Sequence, residues 1–227
     1  VTYPLKSRPF PVEPKIEVPY SSDIEPKINI KEIKGSGREI TGSMVSIPSR
    51  EPILKKVISS ILPQVDKLIV FLNNYEKVPE ILNNQKIVVF RSQDHGDLAD
   101  NGKFFNPPIK GFHITFDDDI LYPPDYVSTQ LNKLKNYQFD AAVVSHGIEI
   151  KEGFRRYYDV SSREVISFYA ENLNDRYVHI IGTGTLAYHT ETVQFNLNDI
   201  KATHMVDIYF GLYCQKNYIP LICISHE

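Results

Sequence analysis

Gly111-Phe112-His113-Ile114-Thr115-Phe116-Asp117-Asp118-Asp119 decides how this chain is read. A mainly apolar run of strand length stops abruptly at three adjacent acids, so the run reads as a buried strand and the acids as the edge of its sheet. Adjacent carboxylates repel one another unless a cation is present, and a hard divalent ion with oxygen ligands suits them. A solvated loop or a helix cap is the plainer reading of three acids. The strand that feeds directly into them weighs against it.

Upstream, Met44-Val45-Ser46-Ile47 is strand-like and is followed by Pro48-Ser49-Arg50-Glu51-Pro52. Ile53, Leu54, Val57, Ile58, Ile61 and Leu62 then recur at helical spacing until Pro63. Residues 67–72 and 86–90 predict two further strands, with a short helix over 78–82 between them. Downstream, the spacing predicts a helix over 124–134, a strand over 140–145, a helix over 205–216 and a strand over 219–224. Strands alternating with helices imply an α/β fold with a mainly parallel central sheet flanked by helices. Residues 147–198 are less regular and rich in Tyr and Arg, and are expected to form a small antiparallel or irregular region where a second ligand is recognised. In such folds ligands gather at the carboxyl ends of the strands, where the acidic triplet falls.

Residues 1–39 carry Pro4, Pro9, Pro11, Pro14, Pro19 and Pro26 among charges. Proline at that density excludes helix interiors and central strands, so the stretch reads as an extended arm or linker, a tether to another module or subunit. Residues 40–227 make one domain. A formal net charge of -3 leaves no basic excess to neutralise phosphates, which excludes a nucleic-acid binder. Two cysteines, Cys214 and Cys223, exclude a disulfide framework and a cysteine zinc site. With no apolar run of about 18 residues and no signal-like N-terminus, the expectation is a soluble chain, cytoplasmic or peripheral at the inner membrane face.

Four segments in order resemble the GT-A fold glycosyltransferases, above all the family 2 type enzymes that build bacterial capsules and other surface polysaccharides. They are Met44 to Arg50, Gly96-Asp97-Leu98-Ala99-Asp100-Asn101-Gly102-Lys103, Phe116-Asp117-Asp118-Asp119-Ile120-Leu121-Tyr122-Pro123-Pro124-Asp125-Tyr126, and His204-Met205-Val206-Asp207-Ile208-Tyr209. The resemblance covers residues 41–227. It implies a GT-A fold and a metal-dependent transfer of a sugar from a nucleotide diphosphate donor, a UDP-sugar above others, to a hydroxyl of a glycan acceptor, with inversion. Asp117 and Asp119 are then expected to serve Mn²⁺ or Mg²⁺ and the diphosphate, Asp118 to face the sugar or ribose, and His226 to complete the metal's coordination. Ser46, Pro48, Arg50, Asn73, Asp97 and Lys103 are expected along the donor cleft, where Arg50 either contacts the nucleotide or caps the first helix. Asp207 is expected to be the base that deprotonates the acceptor, against the plainer reading of an acid at a helix N-terminus. Where the family commonly has an aspartate after the second strand, this chain has Asn73-Asn74.

Gly182-Thr183-Gly184 lacks the Lys and glycine spacing of a phosphate loop and is expected to line the sugar or acceptor site, because glycines let a backbone approach a ligand closely. Tyr157, Tyr158, Tyr169 and Tyr177 offer stacking faces for sugars, or core packing. His113 reads as structural. Aspartyl phosphatases and sugar-nucleotide pyrophosphorylases fit poorly: Leu121 stands where the former need Thr or Val, and Pro48-Ser49-Arg50 replaces the latter's glycine-rich loop. A non-catalytic carbohydrate- or cation-binding module derived from a transferase is the remaining alternative, distinguished by indifference to loss of Asp207.

Overall fold

A computed structural model describes residues 39–105, 108–153, 156 and 159–226. In chain order its elements are β1 (Glu39–Ser46), α1 (Glu51–Ile61), β2 (Lys67–Leu72), β3 (Ile87–Arg91), the one-turn α2 (Ser92–His95), β4 (Gly111–Phe116), α3 (Tyr126–Asn136), β5 (Ala142–Val144), β6 (Gly147–Ile150), β7 (Arg163–Ile166), β8 (Arg176–Tyr177), β9 (Ile180–Ile181), β10 (Ala187–His189), α4 (Val206–Lys216) and β11 (Leu221–Cys223). Eight strands form one sheet in the order β3-β2-β1-β4-β10-β5-β11-β8, and β7-β6-β9 form a small second sheet. The large sheet is mostly parallel: β3, β2, β1 and β4 run together, β10 enters antiparallel, and β5 and β11 resume the first direction. The small sheet is antiparallel throughout. The chain is thus mixed α/β, as its alternating pattern predicts.

The strand register explains why two layers of helices are needed. In β4, Phe112, Ile114 and Phe116 point to one face, and in β5 Val143 joins them against Leu54, Val57, Ile58 and Ile61 of α1 and Val127, Leu131 and Leu134 of α3. Ala142, Val144, Leu221 and Cys223 point to the other face, against Val206, Phe210 and Cys214 of α4. Each of these large side chains, buried on both registers, contributes about 1.5–3 kcal/mol of transfer free energy. His113 lies on the second face, where its ring nitrogens meet Ser43 Oγ and Tyr188 Oη, each at 2.6 Å. Burial pushes its imidazole down to about 3, so it is a neutral core bridge, as the sequence implies. Both cysteines are free and buried.

Several boundaries differ from expectation. The first strand begins at Glu39, one residue inside the stretch read as the arm, and the rest of that arm lies outside the described residues. The predicted helix over 78–82 is a single 3₁₀ turn, Glu80–Leu82, since Pro79 holds extended backbone before it. Among the described residues no helix is long and apolar enough to cross a membrane.

α4 is seated closely on the small sheet. A methyl group on Gly211 would run into the backbone carbonyl oxygen of His179, which cannot rotate away. Gly211→Ala is expected to destabilise the fold by about 1–3 kcal/mol through overpacking, measurable as a lower denaturation midpoint with unchanged slope.

Candidate functional site

Because β10 is antiparallel to both β4 and β5, the carboxyl ends of β1, β2, β4, β5 and β11 fall on one edge of the large sheet. Each strand exits there into a polar segment: Asn73 after β2, Asp117 after β4, His146 beyond β5 and His226 beyond β11. The acidic triplet therefore stands mid-edge.

The three carboxylates have different surroundings. Asp117 pairs with Lys103 Nζ, whose side chain is only 6% exposed, and the same ammonium donates to Thr183 Oγ1 at 3.3 Å. Asp118 is turned toward the end of β1, where Ile47 N–H stands 3.4 Å from its Oδ2. Burial raises its proton affinity, opposed by Ser46, the Ile47 amide and Arg50. Asp119 receives Arg50 Nη2 at 2.8 Å, and Arg50 Nε lies 3.9 Å from Asp118. Arg50 occupies the N-cap of α1 in backbone terms but makes no side-chain capping bond, so its side chain belongs to the triplet. Pro48 opens the exposed 3₁₀ turn Pro48–Arg50 that delivers it.

The glycine segment lies on the other flank. Thr115 Oγ1 donates to Thr183 O, Tyr122 Oη donates to Gly184 O at 2.6 Å, and Asp117 N–H donates to Tyr122 Oη at 2.8 Å. Gly184 passes so near that a β-carbon on it would overlap the Asp117 carboxylate. Thr183 N–H donates to Asp207 Oδ1 at 3.1 Å, in the first turn of α4. Asp207 is thereby linked through Thr183 and Lys103 to Asp117, four groups from segments far apart in sequence. Burial first, and the nearby Asp117 charge, raise the Asp207 pKa, against the lowering by Thr183 and Lys103. A partly buried acid with raised proton affinity beside other charged groups has the properties of a general-base candidate.

On the side of β1 and β2, a cavity of about 280 Å³ is lined by Ile47, Asn73, Asp97, Ala99, Thr203 and His204. Asn73 reaches it, but its amide is committed to backbone: Nδ2 donates to Ala99 O at 3.0 Å and Oδ1 accepts from Leu98 N–H at 3.3 Å. It shapes the wall rather than presenting a free amide. Asp97 accepts from Ala99 N–H at 2.8 Å and from Asn74 Nδ2 at 2.7 Å, and these bonds, the Ala99 amide foremost, hold its carboxyl below the usual range. The segment before α4 closes the cavity, with His204 N–H donating to Asp100 Oδ1 at 2.9 Å.

Among the described residues no group of three His, Cys, Asp or Glu comes together to hold a metal. His226 does not join the triplet. Its Nδ1 faces Ile224 O at 2.8 Å and its Nε2 faces Ser167 O at 3.2 Å, and it bridges Asn172 by paired backbone bonds, because the chain beyond β11 keeps to the antiparallel side on which β8 pairs. What remains at the triplet, two carboxylates each 37% exposed, suits an ion held by one or two protein oxygens and completed by substrate oxygens and water, not a closed cage. Tyr157 and Tyr158 lie outside the described residues. Tyr177 and Tyr169 are exposed. Sequence reading missed Thr183's bridging part, Tyr122 and His146; none stands in a spacing that marks it. No protein-family model matches the sequence, and no curated protein matches it.

Proposed function

We propose that this chain is a GT-A type glycosyltransferase that moves a sugar from a nucleotide diphosphate donor, a UDP-sugar, to a hydroxyl of a glycan acceptor with inversion. The observation that carries the reading is the chain of contacts from Asp207 through Thr183 and Lys103 to Asp117, which links the acid read as the base to the carboxylates read as the cation site.

The roles follow from placement. The cavity lined by Ile47, Asn73, Asp97, Ala99, Thr203 and His204 takes the nucleoside, leaving its diphosphate toward the triplet. Asp117 and Asp119 would hold Mn²⁺ or Mg²⁺, which when bound offsets charge on the departing diphosphate. Lys103 and Arg50 bring fixed positive charge to the same place. Asp207 takes the acceptor hydroxyl proton while that oxygen bonds to the anomeric carbon and the bond to the diphosphate oxygen breaks, the electron pair leaving with the nucleoside diphosphate. Gly182, Thr183 and Gly184 line the sugar-facing wall, the two glycines letting the backbone lie close against His146 and Asp117.

Calorimetric titration of UDP, GDP and CMP with Mn²⁺, then with chelator, tests this. UDP is expected to bind with Mn²⁺ and to lose at least about tenfold in affinity in Asp117→Ala/Asp119→Ala or with chelator. Well-folded protein that binds none of the three nucleotides removes the transferase reading in favour of a carbohydrate- or cation-binding module, with Arg50, Lys103 and the triplet as a structural ion cluster.

A further inference from the structure

The far side of the triplet from the nucleoside cavity carries a group of rings that the donor does not use. The chain leaving β7 makes a tight turn over residues 167–170, closed by Ala170 N–H donating to Ser167 O at 3.0 Å, with Phe168 and Tyr169 at its centre. Their rings stack at a centroid distance of 4.0 Å and an interplanar angle of 37°, and Tyr169 is 85% exposed. The turn is fixed from behind by His226, whose Nε2 meets Ser167 O and whose backbone pairs with Asn172. The residue expected among the metal ligands thus positions an aromatic surface.

His146 completes the group. Its ring meets Phe168 edge to face at 5.7 Å and is backed by Gly182, on which a β-carbon would stand 2.8 Å from His146 Cδ2. Its amide N–H donates to Thr185 Oγ1 at 3.1 Å and its carbonyl accepts from Gly182 N–H at 2.8 Å, so it is locked to the segment that carries Thr183 and Gly184. Its Nδ1 is sealed from solvent and has no hydrogen-bond partner among the described residues. A proton on that nitrogen would be a buried donor without an acceptor, so the neutral ring keeps its proton on Nε2. Burial lowers the imidazole's proton affinity in the same sense, against the raising effect of Asp117. The ring is therefore a fixed neutral donor beside the Phe168 ring that carries the exposed Tyr169.

We propose that Tyr169, backed by Phe168, and His146 form the subsite for a sugar ring of the acceptor, the ring's C–H face lying on the exposed side of Tyr169 and a hydroxyl accepting from His146 Nε2–H, with His226 as a positioning residue. A sugar is the occupant that this chemistry fits: an apolar face needs an aromatic platform, and a neutral hydroxyl needs a donor that carries no charge. The site shares the sheet edge with Asp207 and lies on the side away from the nucleoside cavity. Its role as an acceptor subsite rests on the transferase reading; its affinity for a sugar does not.

The test is saturation-transfer NMR on the full chain with methyl β-glucoside, methyl β-galactoside and methyl N-acetyl-β-glucosaminide, with UDP and Mn²⁺ binding measured on the same samples. Wild type is expected to transfer saturation to the ring C–H protons of at least one glycoside. Tyr169→Ala, a fully surface change, and His146→Ala are each expected to weaken that binding about tenfold, and His146→Gln, which keeps a neutral donor, to restore it to within about threefold, all with unchanged UDP affinity. A purely structural part for His146 would leave Gln no better than Ala. Absence of transfer to all three glycosides, or transfer undiminished in Tyr169→Ala, overturns the subsite. Glycoside binding that depends on Tyr169 in a protein that binds no nucleotide keeps the subsite and removes the transferase.

Discussion

Asp207→Asn is expected to lower turnover on the order of 10²–10⁴-fold while leaving nucleotide affinity within about twofold of wild type. Asparagine keeps an oxygen to accept the Thr183 amide, so the link to the glycine segment survives and only the proton acceptor is lost. Thermal stability should hold or rise, since a partly buried charge is removed. The pH profile supplies a second check. As the proposed base, Asp207 would have to be ionised, and burial sets its pKa above the ordinary carboxylate value of about 3.9. Activity is therefore expected to fall as pH drops through that raised value, earlier than an exposed aspartate would dictate, in a plot of kcat/KM against pH. Turnover in Asp207→Asn comparable to wild type would remove the base from Asp207 and leave the acid as an ordinary helix-start residue.

Gly184→Ala is the second large effect, and its direction separates folding from function. The added methyl meets the end of the Asp117 side chain, a group that can rotate aside, so the fold should lose no more than about 1 kcal/mol. Rotating aside, however, takes Asp117 from Lys103 and from the place where a cation and diphosphate would meet it. Mn²⁺-dependent UDP affinity is expected to fall at least about tenfold, and turnover on the order of 10²-fold, the cost of misplacing a site group by about 1 Å. Denaturation midpoints beside calorimetry read the two quantities separately; a large stability loss with intact nucleotide binding would contradict the contact.

Both residues were visible in the sequence, for different reasons. Asp207 is marked only by the resemblance of the segment His204 to Tyr209 to the transferases, and the structure adds what no spacing can carry, the Thr183 amide that donates to it. Gly184 stood out as one of two glycines in a short segment, but the carboxylate that excludes a side chain there lies 67 positions earlier in the chain. β2 and β4 were legible because near-continuous apolar runs mark strands buried on both faces, and β3, a half-buried edge strand, carries a similar run. Thr41, Gly42 and Ser43 hid the first half of β1, since buried polar residues satisfied across the sheet, such as Ser43 on Lys103 O at 2.7 Å, break the apolar pattern. β10 gave no signal at all: three residues, Ala187-Tyr188-His189, hold an interior place by their neighbours' hydrogen bonds and not by their own pattern. The contacts of His226 are hidden for a related reason. Its role depends on a turn at residues 167–170, which sequence distance conceals.

The insertion of β10 between β4 and β5 bears on how the molecule is made. β1 to β4 pair among themselves and use only residues up to 116, so they can assemble while the rest is still in the ribosome. β5, at residues 142–144, emerges next but has no neighbour in the large sheet until residues 187–189 arrive on one side and 221–223 on the other. For the interval in which about 45 to 80 residues are synthesised, the open edge of β4 and the unpaired β5 must wait, which at about 5–20 residues per second lasts several seconds. A nascent chain of this kind exposes an unfinished sheet edge to its neighbours for that time, and the half of the site that holds Asp207 exists only after the last strand closes it.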